Sequence, residues 1–343
     1  MKRIAFLAIV FALALSASVR WSAAESASRA GELLDVLPDG NVVAIIDFQK
    51  LAASNLWSTI SAQEKLKGSL DKVHSKMAEL GVKLSDVNTI ALVFSSISMN
   101  DPAVAVTGRF EQNDLLARLR ANGKIRLTSE KYKDFDIYKV AESREQPKET
   151  NQSSEAKAPA AVSTNAAKKN ETAFVFHNSN TIVAGSLEAV RGSIDVKTGA
   201  KPGIAQNVKF ADALAQNPAA AIRFALTVTS AMTSGLQSSE LPVPDFSSIS
   251  MIFGTIDVTS GIDLNATLRT DTAEHAKSIA ERLSGLLAMA AGYLGAMSNP
   301  KIAPIGEALK TVKVTSADAD VKITGSVPMD LLNSLLSPSS RKS

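Results

Sequence analysis

Apolar residues along this chain fall into two kinds of pattern, short β-branched runs and stretches that repeat every three or four residues. Val42 to Ile46 is a run of the first kind and follows the turn residues Pro38, Asp39 and Gly40, which predicts a buried strand. Leu51, Leu56, Ile60, Leu66, Leu70, Val73, Met77 and Leu80 then recur at helical spacing up to Gly81, as one long helix or two short ones. The runs Thr89 to Phe94 and Ala103 to Phe110 flank the turn chemistry of Ser98 to Pro102 and predict a hairpin. Glu111 to Ala121 carries Leu115, Leu116 and Leu119 at helical spacing and stops at Asn122 and Gly123. Strands are expected at 124–130, 134–140, 173–177 and 181–185, and a helix near 187–196.

The order repeats after residue 200. Ala220 to Val228 reads as a strand, Ser247 to Val258 and Ile262 to Arg269 as a hairpin, and Asp271 to Met297 as a long helix; a last hairpin and a short helix close the chain. Val106 to Glu111 and Ala266 to Asp271 both end a strand on arginine and open a helix on an acid, where a carboxylate meets free backbone amides. Ile125 to Ser129 and Val312 to Ser316 each precede a short turn and a returning strand. The expectation is an α+β protein of two related halves, each a mostly antiparallel sheet with helices on one face, a split β-α-β-like duplication. The first unit would span 25–200 and the second 201–337, with a disordered tail over 338–343.

Two segments stand outside this pattern. Lys2 and Arg3, the apolar run Ile4 to Ala17 and the small residues Ser22, Ala23 and Ala24 follow the order of a secretory signal peptide cleaved after Ala24. That apolar stretch is shorter than a bilayer span and ends at Arg20, so no transmembrane anchor is expected in the mature chain. Residues 141–172 are rich in Glu, Lys, Ser, Asn, Gln, Ala and Pro and carry Val162 as their one large apolar residue. Such a stretch buries too little apolar surface to offset its chain entropy and reads as a disordered loop inserted within one sheet.

Composition narrows the chemistry. The 343 residues contain no cysteine and three histidines, which excludes disulfides, thiol catalysis and cysteine-ligated metals. A cysteine-free exported chain of this size fits a bacterial envelope, periplasmic or extracellular, better than an animal secretory product. Lys and Arg number 37 against 34 Asp and Glu, a formal charge of +3. Lys2, Arg3 and Arg20 belong to the signal segment, which leaves 34 bases against 34 acids and removes the compositional case for nucleic acid.

His74, His177 and His275 have no metal-binding spacing among them. Neither Gly68, Ser69 nor Gly185, Ser186 completes a nucleophile elbow, and Gly285, Gly292 and Gly295 do not form a phosphate loop. Asp318 and Asp320 read as solvated turn acids rather than an acid and base couple. No cofactor or metal is implied, and the chain leans away from catalysis; a hydrolase with a dispersed site is the outlying alternative.

One stretch stands out. Ser284 to Met297 is apolar nearly all the way round, which predicts a central helix buried on several sides or, more sharply, a surface for an apolar ligand, a lipid or a partner protein. Leu286, Leu287, Met289, Tyr293 and Leu294 are its candidate contact residues. Ala288 with Gly292, and Ala291 with Gly295, have the small-residue spacing that admits close helix contact. The expected protein is thus an exported, non-catalytic binding or structural module of the envelope, with an apolar-ligand carrier as the alternative.

Overall fold

A computed structural model describes residues 30–63, 82–95, 102–142, 172–230, 246–297 and 302–336, with the single positions 68, 71, 75, 78, 232 and 299. The expected signal segment, nearly all of the expected 141–172 loop and the expected tail lie outside the described residues. Of that loop, 141, 142 and 172 belong to strands.

The first apolar run forms β1 (Val42–Asp47), and Asp47 then caps the short helix α1 (Phe48–Ala52) by accepting from the Lys50 amide at 3.1 Å. Ser54 caps α2 (Asn55–Ser61) in the same way. The expected hairpin is β2 (Val87–Phe94) with β3 (Ala103–Gly108), followed by α3 (Gln112–Ala121). Next come β4 (Ile125–Tyr132), β5 (Phe135–Glu142), β6 (Thr172–Asn178), β7 (Thr181–Gly185) and α4 (Leu187–Lys197).

After α5 (Val208–Ala215) the chain forms β8 (Ile222–Thr227), β9 (Ile249–Asp257), β10 (Gly261–Thr270) and the long helix α6 (Ala273–Gly295). It ends with α7 (Ala303–Lys310), β11 (Lys313–Ala317), β12 (Asp320–Pro328) and α8 (Met329–Leu336). The short helices α5 and α7 were not legible in the apolar spacing.

Twelve strands make one sheet among the described residues, in the order β11-β12-β10-β9-β8-β1-β2-β3-β7-β6-β5-β4. Every pairing is antiparallel. β1 lies between β2 and β8, so the sheet passes without a break from strands before residue 200 to strands after it. β5 and β6, on either side of residues 143–171, pair with each other.

Helices cover both faces, which corrects the expectation of one. On the face that carries Val43, Ile45, Ala91, Ala105 and Val183 lie Leu33 and Leu37, α4 through Val190 and Ile194, and α5 through Phe210 and Leu214. The opposite face, with Ile46, Ile90, Leu92, Val104 and Val106, receives Phe48 of α1. On that same face α3 packs Leu116 and Leu119 onto Tyr138, Phe174 and Phe176, and α6 packs Ala276 and Ile279 onto Leu268 and Val321. The reason is in the strands themselves. β2 and β3 are apolar at consecutive positions rather than alternate ones, and a strand apolar on both sides demands cover on both. The outer strands β10, β11 and β12 alternate instead, with Asn265, Lys313, Thr315, Lys322 and Thr324 exposed on the open face.

The two helix-opening acids do not act as expected. Glu111 precedes α3 without a side-chain capping bond, and α6 is capped by Thr272, whose hydroxyl accepts from the His275 amide at 3.2 Å. Asp271 instead pairs with His275 Nδ1 at 2.6 Å.

Candidate functional site

α6 divides at about its middle. In its first half Ala276, Ile279 and Ala280 are buried against β10 and β12. Beyond Arg282 there is no charged residue as far as Asn299, and the helix is covered on one side only. Its inward side packs against α7 at the closest helix crossing in this region: a Cβ at Gly306 would collide with the Gly295 backbone and stand 3.0 Å from the Ala291 carbonyl. Ala291 and Gly295 thus make the close contact their spacing allows. Ala288 and Gly292 flank this contact and stay exposed.

The five candidate residues separate accordingly. Met289 and Tyr293 point outward at 65% and 66% exposure, whereas Leu286, Leu287 and Leu294 are half-buried. This corrects the picture of a helix buried on several sides. A helix that is apolar all round is ordinarily surrounded, yet here the sheet, α7 and the edge strand β11 reach only its inner half. Between α6 and the α7–β11 connection runs a groove of about 400 Å³, lined by Leu287, Ala288, Ala291, Gly292, Leu309 and Val314, with Ser284 and Lys310 at its margin. Lys310 is held by Glu307 at 2.7 Å.

Elsewhere the chemistry is structural. His177 is half-buried with Nε2 at 3.0 Å from Ser193 Oγ, which itself donates to the Val190 carbonyl at 2.8 Å. Burial, and secondarily the charge of Lys197, lowers its pKa to about 4. The pair resembles a serine and histidine dyad only in composition, because Ser193 has no exposed surface. Ser186 accepts from the Ala189 amide as the cap of α4. Asp320 is clasped by Arg269 through two bonds of 2.9 and 3.0 Å, while Asp318 sits at positive φ in the hairpin turn. His74 and Ser69 lie outside the described residues, and among the described residues no three His, Asp or Glu side chains gather into a metal-sized cluster.

A polar knot that spacing gave no hint of ties the β4–β5 hairpin to α4. Asp195, 6% exposed, accepts from Lys133 at 2.7 Å, Tyr132 at 2.9 Å and Lys201 at 3.2 Å. Hydrogen bonding from Lys133, with that from Tyr132 and Lys201, outweighs burial and holds its carboxyl down at about 2. Glu130 beside it pairs with Arg191 at 2.7 Å and Lys139 at 3.0 Å. Tyr132 and Lys133 are thereby committed to internal partners, whereas Lys131 is exposed and reaches the half-exposed Asp136 at 3.5 Å.

Fold and surface together define an α+β protein on one antiparallel sheet with an uncovered apolar helix stretch. No protein-family model matches the chain, and no curated protein sequence does. Among solved structures it is similar to three crystal forms of a protein called TP0453. Form III has a TM-score of 0.47 at 11% identity over 88% of this chain, and form I 0.47 at 10% over 89%. Form IV has 0.45 at 9% over 89%, and each match takes in 96% of the other chain.

Proposed function

We propose that this is an exported binding or structural module of a bacterial envelope, acting without catalysis through the second half of α6. The observation that carries this reading is the outward exposure of Met289 and Tyr293 on a charge-free stretch of helix. Large apolar side chains grouped on one exposed face mark a contact surface rather than a solvated one. The signal-like order of residues 1–24 supports export. Native mass spectrometry of the gently purified chain tests the reading: a retained partner or ligand is expected, and it should be lost from a Met289→Lys, Tyr293→Lys variant. A chain that never carries a companion and ignores an apolar naphthalene sulfonate dye would refute it.

The carrier reading is favoured by a separate observation, the groove beside α7. Its Leu287, Ala291, Leu309 and Val314 lining suits a small apolar ligand.

We further propose that the chain arose by duplication, with units over 25–200 and 201–337. Support comes from the order β1-β2-β3-α3 beside β8-β9-β10-α6 and from the hairpins that follow. β4–β5 and β11–β12 each end the sheet and turn through two residues, the first at positive φ, Lys133 at 51° and Asp318 at 49°. β6, β7 and α4 would then be an addition to the first unit. Separate expression of 201–337 as a cooperatively folded unit is the expected result; a chain that never folds would count against the division.

A further inference from the structure

β11 ends the sheet, and only one side of its backbone is paired. Asp318 and Ala319 form a tight turn between the partners Ala317 and Asp320, which fixes the hydrogen-bond alternation of the β11–β12 hairpin. Ala317, Thr315 and Lys313 exchange bonds with β12, while Val314 and Ser316 turn their N–H and C=O away from it. The far side of β12 agrees: Ala319 accepts from the Thr270 amide at 2.8 Å, so the odd-numbered positions there face β10. Among the described residues no backbone group takes up the outward N–H and C=O of Val314 and Ser316. Beside them lies the groove under α6, lined by Leu287, Ala291, Leu309 and Val314. On the opposite face of the same edge stand Lys313 and, across from Thr315, Lys322, both exposed and without an ion-pair partner among the described residues.

Resting on the reading of this groove as an apolar binding site, we propose that β11 binds an extended peptide segment of a partner protein, which joins the sheet as a further strand. A row of outward N–H and C=O groups is complemented by another peptide backbone; a lipid chain or a small apolar ligand offers no alternating donors and acceptors. Residues of the added strand opposite Val314 and Ser316 point to the α6 side and into the groove. Those opposite Lys313 and Thr315 point to the open face, within reach of the Lys313 and Lys322 ammonium groups. The edge thus specifies the chemistry of its occupant, apolar side chains alternating with acidic ones. A second copy fits less well. Pairing β11 with β11 about Thr315 sets Ser316 against the apolar groove and brings no acid to the lysines. Met289 and Tyr293 take no part in this contact.

A blocked, dye-labelled hexapeptide alternating valine and glutamate tests it, read by fluorescence anisotropy and by amide hydrogen exchange. In the protein alone the Val314 and Ser316 amides should exchange fast and the Thr315 amide slowly; the peptide should slow Val314 and Ser316 and leave Thr315 as it was. Ser316→Pro removes an outward N–H without touching a bond to β12, so it should weaken binding about tenfold or more with the circular dichroism spectrum unchanged. Lys313→Glu should weaken it as well, and a peptide N-methylated on the amides that face β11, or with lysine in place of glutamate, should not bind. Absence of binding to the parent chain overturns the proposal, and so does equal binding of the methylated peptide. Protection of Val314 and Ser316 that rises with protein concentration alone assigns the edge to a second copy and overturns it too. A chain that ignores the peptide yet takes up an apolar naphthalene sulfonate dye, with uptake abolished by Leu287→Lys, overturns peptide binding and leaves the groove reading in place; one that takes up neither overturns both.

Discussion

Gly306 of α7 rests on Gly295 of α6 so closely that a methyl group at position 306 would stand 2.7 Å from the Gly295 Cα. Neither helix backbone can yield without moving its whole element. In an open helix glycine to alanine gains about 1 kcal/mol. At this crossing overpacking, about 1–3 kcal/mol, outweighs that gain. Gly306→Ala should therefore destabilise the protein by about 1–2 kcal/mol in urea unfolding. Gly285→Ala on the outer side of α6, where a Cβ meets nothing within 4 Å, should stabilise it by about 0.5–1 kcal/mol. Opposite signs at two glycines of one helix pair are the result to look for; equal signs would mean that the helices do not cross as described.

Asp195→Asn should loosen the β4–β5 hairpin from α4, at a cost of about 1–2 kcal/mol, because Lys133 and Lys201 lose their shared carboxylate. The pH dependence has a definite sign. The folded pKa of about 2 lies below the ordinary carboxylate value of about 3.9, so the unfolded chain takes up the proton first. The contribution is complete above pH ~4 and is lost as pH falls toward about 2. Chemical denaturation across that window should show a steeper acid loss in the parent than in Asp195→Asn.

His177 acts in a higher window. It is neutral in the folded protein down to about 4, whereas an unfolded histidine charges near 6.5. Its burial is thus without penalty above pH ~6.5 and becomes progressively unfavourable between pH ~6.5 and 4. Proton NMR should find an imidazole titrating near 4. His177→Phe, which packs beside Phe135, should flatten the fall in stability between pH ~6.5 and 4. An unchanged slope in that variant would place the acid sensitivity elsewhere.

Local pattern carried the strands. β7 matched its apolar run residue for residue, and β1, β2 and β3 were within one or two positions, because a β-branched run bounded by turn residues leaves the backbone few choices. What failed was non-local. Consecutive apolar residues in β2 already required cover on both faces, yet on one of them Ala91 and Val93 share a core with Val190 and Ile194 of α4, which begins 93 positions after β2 ends, in a segment whose spacing says nothing of which face it takes. The Asp195 knot joins Tyr132 and Lys133 to a carboxylate more than 60 residues on, and no spacing rule connects them. Arg223, buried in the central strand β8 with Nη1 on the Leu214 carbonyl at 3.1 Å, was equally silent in the sequence. The candidate helix was legible as unusual, but its exposure was not: Met289 and Ile279 are both apolar positions of one periodic stretch, and only the end of the sheet beneath decides which is covered.

That difference gives the sharpest test of α6. Ile279 is 3% exposed and packs with Leu268 and Val321, so Ile279→Ala removes buried methyl groups and leaves a cavity, at a cost of about 2–4 kcal/mol. Met289→Ser and Tyr293→Ser take nothing from the core and should each shift stability by less than about 0.5 kcal/mol. They should still lower the affinity for whatever α6 contacts, since those two side chains hold most of its outward apolar area. A helix whose two halves divide in this way, one answering to unfolding and the other to binding, keeps its contact surface apart from its anchor. If Met289→Ser proves as damaging to stability as Ile279→Ala, the second half of α6 is core, and the contact surface has to be sought elsewhere.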